Sequence, residues 1–192
     1  ERIFEVADAM RPYALRQRIT RVLEGAIASN MFFEPSTRTR ISFGSAFNLL
    51  GGAVRETTEV GSSSLVKGES LIDTAQVLSG YSDIIVMRHP EINSVKEFSE
   101  ASRVPVINGG DGSNEHPTQA LLDALTIKNK FKKFIGLKIA ICGDILHSRV
   151  ARSNIEILST LGSSINVIGP KSLIPKNINA LGVNVYHDMK KG

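Results

Sequence analysis

The sequence predicts an α/β protein built as two doubly wound parallel-sheet units. Two observations carry this prediction. Short apolar runs of strand length alternate with segments whose apolar residues recur at helical spacing. The strand–helix–strand order then repeats, which calls for parallel sheets with right-handed crossovers and helices on both faces. After the basic stretch Asn129–Lys133 the pattern restarts, so the expected units are residues 1–132 and 133–192.

Ala26–Phe33 reads as a strand, Arg40–Leu50 as a helix and Ala53–Thr58 as a short alternating run. Gly68–Gly80 is helical because Leu71, Ala75 and Leu78 share one face. Ile84–Met87 is an apolar strand, Ser94–Ala101 a short helix, and Val104–Asn108 a strand that runs into the turn-rich loop Gly109–Glu115. Pro117–Lys130 is a strong helix with proline at its favoured first position. In the second unit, Lys138–Cys142 is a strand and Ser148–Leu161 a helix. Ile165–Ile168 is a strand closed by Gly169-Pro170, and Val183–Tyr186 is a further strand. At about 60 residues, that unit is small for a complete doubly wound domain.

Composition narrows the function classes. The 192 residues are 42% hydrophobic and 22% charged, with 16 Gly and 7 Pro, an ordinary globular balance that excludes collagen-like, disordered and coiled-coil chains. Net charge is only +4, and the densest basic clusters are Arg16/Arg18/Arg21 and Lys130/Lys132/Lys133, so nucleic acid is not an expected partner. Cys142 is the only cysteine, which rules out an internal disulfide and a Cys-based metal site. No apolar run approaches the ~20 residues of a membrane span. No basic-then-apolar leader precedes the fold, so the expected setting is cytoplasmic, and the start at Glu1 suggests a chain incomplete at its N-terminus.

Ligands of open α/β sheets bind beyond the carboxyl ends of the strands. Four such ends carry chemistry here: Glu34–Arg40, Arg88-His89-Pro90, the loop ending in His116–Gln119, and Gly143–Arg149. Ser36–Arg40 opens a helix, where free N–H groups and the dipole face an anion. Ser36, Thr37 and Thr39 add hydroxyls, and Arg38 a fork suited to phosphate oxygens. A plain N-cap needs one hydroxyl, not three interleaved with two guanidiniums. His116 and Gln119 flank another helix start. They read equally as a capping pair and as an imidazole and amide gripping a small planar polar group. Arg88 has the alternative of pairing with a carboxylate, and Arg149 of a surface position. Ser62–Glu69 reads as a turn with a solvated lysine, and His89 and His147 as structural or surface residues.

Five co-linear stretches then identify a resemblance that spans nearly the whole chain. Phe33-Glu-Pro-Ser-Thr-Arg-Thr-Arg40, Lys67-Gly-Glu-Ser-Leu-Ile-Asp-Thr74, Val86-Met-Arg-His-Pro90, Gly110–Asp123 and Gly143–Asn154 resemble the catalytic chains of the aspartate carbamoyltransferases. The ornithine carbamoyltransferases share the Ser-Thr-Arg-Thr-Arg type of motif and a His-Pro pair. The loops at Lys67–Glu69, Gly110–Asn114 and Gly143–Asn154 look like the aspartate enzymes instead.

The resemblance implies a carbamoyl-phosphate domain followed by a partial aspartate domain. Ser36, Thr37, Arg38 and Thr39 would hold the phosphate of carbamoyl phosphate, with Arg88 reaching its phosphate or carbonyl oxygen. His116 would polarise the carbonyl with help from Thr39, and Gln119 would hold the carbamoyl nitrogen. Ser63 and Lys67 would enter the active site of a neighbouring subunit in a homotrimer, and Arg149 would contact a carboxylate of L-aspartate. Arg40 would be mainly structural. Fixed donors and cations stabilise the developing charge, so no metal or cofactor is called for. A regulatory chain or a dihydroorotase is a further partner that the family allows. In the family the aspartate domain continues beyond this chain and a C-terminal helix returns to the first domain, so a fragment is expected. The alternative from another class is a non-catalytic anion-binding or assembly module.

Overall fold

The computed structural model describes residues 2–57 and 68–192, so the calls on Ser63 and Lys67 lie outside the described residues. The chain packs as two units, Glu1–Asp111 and Gly112–Gly192.

In the first unit, α1 (Arg2–Ala14) precedes β1 (Ile27–Phe32), α2 (Thr37–Leu49), β2 (Ala53–Thr57), α3 (Leu71–Ser79), β3 (Ile84–His89), α4 (Ser94–Ala101) and β4 (Val106–Asp111). The strands form one parallel sheet in the order β2-β1-β3-β4. The chain moves one way from β1 to β2, then back across β1 to β3 and β4. With right-handed crossovers, α2 therefore covers one face and α3 and α4 the other, and the direction reverses between β1 and β3.

Side-chain alternation agrees with this layering. Met31, Ile85 and Met87 point into a core closed by Ala75 of α3 and by Val95 and Phe98 of α4. The intervening positions of β1 and β3 face α2. There the buried Asn30 donates from Nδ2 to the Arg40 carbonyl at 3.2 Å, tying the helix to the central strand. Arg88 lies on that same face.

The second unit holds α5 (Pro117–Phe131), β5 (Lys138–Cys142), α6 (Arg149–Thr160), β6 (Ser164–Ile168) and β7 (Asn184–Tyr186), with single 3-10 turns at Lys171–Leu173 and Ile178–Leu181. Its strands are parallel in the order β5-β6-β7. Helix α6 buries Ala151, Ile155 and Leu158, the i, i+4, i+7 stripe read from the sequence.

Several boundaries move, each for a physical reason. Helix α2 begins three residues earlier than its apolar pattern, because its first turn, Thr37–Thr39, is wholly polar. Strand β3 extends through Arg88 and His89, since ladder bonds such as Phe33 N–H to the Arg88 carbonyl at 2.9 Å use the backbone alone. Strand β4 takes in Gly109 and Gly110, with a register shift opposite Met87–His89. Helix α1 was not read from the apolar pattern; it carries Pro12 inside and buries just Phe4.

Candidate functional site

The helix starts differ in how they are satisfied. Ser70 caps α3 by accepting from Asp73 N–H at 3.1 Å, and Ser148 caps α6 by accepting from Ala151 N–H at 3.1 Å. At α4 the Asp111 carboxylate takes the N–H groups of Asn93 and Val95 at 3.1 and 3.4 Å. At α2 and α5 the N-cap side chains, Ser36 and His116, make no cap hydrogen bond. These are the two helices whose starts carry Ser36–Thr39 and His116–Gln119.

Ser36 sits at the cap position of α2 in an extended conformation, but its hydroxyl makes no cap bond. It accepts instead from Arg88 Nη1 at 2.9 Å, and Thr39 Oγ1 accepts from the same nitrogen at 3.3 Å. The simple cap reading of Ser36 therefore does not describe this site. Arg88 Nε donates to Glu34 Oε1 at 2.5 Å, in a pair whose side chains are 14% and 22% exposed. The carboxylate partner weighed for Arg88 thus exists, and two hydroxyls share the guanidinium with it. Glu34 was given no role from sequence, although it lies two residues past the end of β1 at the sheet's switch point.

Glu34 and Ser36 border an open cleft of about 470 Å³, lined also by Phe32, Phe33, Pro35, Thr37 and Arg40. Thr37 and Arg38 are exposed in the first turn of α2. Arg40, on the same helix, forms an ion pair with Glu56 and ties α2 to β2, in keeping with a structural role. The head of α2 thus brings helical N–H groups and the hydroxyls of Ser36 and Thr37 to the cleft, with Arg38 exposed in the same turn, the donor types of an anion site.

His89 follows Arg88 and stacks obliquely on Phe33, with ring centroids 5.1 Å apart. Its Nδ1 accepts from Glu91 N–H at 3.1 Å. Burial lowers its pKa from the usual 6.5, opposed by the carboxylates of Glu91, Asp111 and Glu34.

In the second unit, His116 is buried, and its backbone N–H donates to Ser153 Oγ at 2.9 Å. Its Nδ1 lies 3.4 Å from Thr118 Oγ1. The capping-box alternative for Gln119 is not realised. Its amide Nε2 runs down the helix to Asp123 Oδ1 at 2.9 Å, and Asp123 Oδ2 accepts from Asn154 Nδ2 at 2.7 Å. Arg149 donates from Nη1 to the Gly112 carbonyl at 2.8 Å, anchoring the loop that leads to His116. His147 is exposed and bonded to Asp144, whose carboxyl those bonds hold below its ordinary value. Ser153, Asp123 and Asn154 were given no role from sequence; their one signal is that each lies within or beside a quoted stretch.

Among the described residues, no group of three or more His, Cys, Asp and Glu side chains could hold a metal ion. No helix among them is long and apolar enough to cross a membrane.

Comparison with known proteins supplies the context. A family model for the carbamoyl-P binding domain of aspartate/ornithine carbamoyltransferases matches residues 1–129. The aspartate carbamoyltransferase catalytic subunit of Cellvibrio japonicus is 64% identical over 177 residues, covering 90% of this chain and 52% of that protein. The corresponding subunit of Rhodospirillum rubrum is 48% identical over 190 residues, covering 96% of this chain and 59% of its own length. The chain thus spans somewhat more than half the length of these two relatives.

Among solved structures, the catalytic subunit of M. jannaschii aspartate transcarbamoylase superposes with a TM-score of 0.86 at 43% identity, over 100% of this chain and 65% of that one. The Trypanosoma cruzi enzyme in complex with carbamoyl phosphate and aspartate gives 0.85 at 36% identity, over 97% and 65%. Sheet order, motif placement and these matches agree: the chain belongs to the aspartate/ornithine carbamoyltransferase family.

Proposed function

We propose that the protein carrying this chain transfers the carbamoyl group of carbamoyl phosphate to L-aspartate, giving N-carbamoyl-L-aspartate and phosphate, a step of pyrimidine synthesis. The observation that carries the reading is the head of α2. There Ser36 gives up its cap bond to join Thr39 on the Arg88 guanidinium, beside exposed Thr37 and Arg38. The relatives are named as aspartate carbamoyltransferases, and the Trypanosoma cruzi neighbour has been solved with carbamoyl aspartate and phosphate.

In this reading the first-turn N–H groups of α2, with Ser36, Thr37, Arg38 and Thr39, neutralise the phosphate, and Arg88 reaches a phosphate or carbonyl oxygen. His116 polarises the carbamoyl carbonyl, Gln119 holds the carbamoyl nitrogen, and Arg149 faces a carboxylate of aspartate. The amine of aspartate forms the new C–N bond as the bond from the carbamoyl carbon to the phosphate oxygen breaks. The amine proton leaves with the phosphate. Orientation and preorganised charge supply the acceleration, and no covalent nucleophile is used.

The functional division falls near residue 132, with a carbamoyl-phosphate domain before it and part of an aspartate domain after it. The reaction runs in the cytoplasm, in a homotrimer where Ser63 and Lys67 complete a neighbour's site. The test is formation of carbamoyl aspartate by the full-length protein, with L-ornithine as the competing acceptor. Product with aspartate alone supports the reading. Product with ornithine alone, or carbamoyl phosphate binding without turnover, refutes it. For the shared site, mixed Lys67→Ala and Arg38→Ala chains should regain activity that neither has alone.

A further inference from the structure

We propose that Asp123 is a positioning residue for substrate selection: it holds the Gln119 amide nitrogen, so that only the Gln119 carbonyl oxygen is offered to the substrate. This inference rests on the carbamoyl-transfer reading above. A carboxylate accepts hydrogen bonds and donates none, so each side chain that meets it must present its N–H face. Asp123 takes Gln119 Nε2 at 2.9 Å on one oxygen and Asn154 Nδ2 at 2.7 Å on the other. Turning either amide over would set two oxygens at hydrogen-bond distance and replace attraction by repulsion.

The fate of Asn154 shows how firmly this orientation is imposed. Its Oδ1 is buried with no hydrogen-bond partner among the described residues, a cost that donation to Asp123 outweighs. Gln119 is the third residue of α5 and Asp123 lies one turn further along, so the nitrogen is drawn back along the helix. Among the described residues the Gln119 amide bonds through this nitrogen, and its carbonyl oxygen is the end left for a substrate. Such an acceptor matches the NH2 of a carbamoyl group and finds no donor on the methyl of acetyl phosphate, which has nearly the same shape. Asp123 therefore acts through Gln119 to separate carbamoyl phosphate from acetyl phosphate.

The experiment uses the full-length protein, with folding checked by circular dichroism. It measures KM for carbamoyl phosphate and competitive inhibition constants for acetyl phosphate and inorganic phosphate. Asp123→Asn keeps the shape, but with its one oxygen held by Asn154 Nδ2 it sets its own N–H toward Gln119 and turns that amide over. KM for carbamoyl phosphate should rise about tenfold, the order of one hydrogen bond, while both inhibition constants stay within about twofold. In a Gln119→Met background the same substitution should add less than about twofold, because the group through which it acts is gone.

An unchanged ratio of carbamoyl phosphate to acetyl phosphate affinity overturns the proposal. So does parallel weakening of all three ligands, which marks a packing role, or an effect that persists without Gln119. If Asp123→Asn does not fold, Asp123→Ser, whose hydroxyl is too short to reach Gln119, carries the same comparison. A wild-type protein that makes carbamoyl aspartate while Asp123→Asn leaves the ratio unchanged defeats this inference alone. A wild-type protein that makes none defeats the functional reading and this inference with it.

Discussion

Arg38 and Arg40 lie two positions apart on α2 and should fail in opposite ways when truncated. Arg38 is exposed in the first turn beside the cleft, whereas Arg40 is paired with Glu56 across to β2. Removing one charge-assisted hydrogen bond to an anion costs about 1.5–3 kcal/mol, and exposure pulls Arg38 toward the lower figure. Arg38→Ala should therefore weaken phosphate binding by at least about tenfold while leaving the melting temperature within about 1 °C. Arg40→Ala removes an ion pair whose side chains are 28% and 36% exposed, worth about 1 kcal/mol or less. It should lower the melting temperature by up to about 4 °C and change phosphate affinity less than about threefold. Calorimetric titration of phosphate into full-length protein, with a thermal melt of each variant, reads both quantities. Phosphate affinity that survives Arg38→Ala, or that falls further in Arg40→Ala, would refute the assignment of roles along α2.

The other predictions use the same structure. Arg88→Met should lose phosphate affinity and also destabilise the fold, because the guanidinium holds Glu34, Ser36 and Thr39 together; affinity loss with an unchanged melt would contradict this. Gly51 has φ +94°, and a Cβ there would lie 2.7 Å from the Arg21 Cα, so Gly51→Ala should cost at least about 1–2 kcal/mol in a urea melt. Burial holds the His89 pKa below 6.5, so the folded ring binds fewer protons than the unfolded one in the range just below that value. Its contribution to stability is kept above pH 6.5 and declines as the solution is acidified through that range, and His89→Gln should flatten this part of a stability–pH curve.

Strands with apolar runs and helices with a clear stripe were legible in the sequence, as Ser94–Ala101 and Lys138–Cys142 show by matching their observed limits. Elements whose ends are polar were read short. The first turn of α2 and the last residues of β3 escape a hydrophobic pattern because their backbones are satisfied while their side chains serve the cleft. The residue types of the site were also legible, since each follows a strand or opens a helix. What the pattern could not supply is which hydrogen bond each side chain chooses. Ser36 has the chemistry to cap α2 as well as to accept from Arg88, and Gln119 to close a capping box as well as to donate to Asp123. Glu34 was overlooked because a carboxylate beside an anion cleft makes sense only once its partner, Arg88, is known.

The most direct measurement is a crystal structure of the full-length protein with carbamoyl phosphate. Phosphate oxygens should lie within hydrogen-bond distance of the first-turn N–H groups of α2 and of an Arg88 Nη atom. A ligand bound with its phosphate away from both, or one that leaves Ser36 and Thr39 untouched, would contradict this placement.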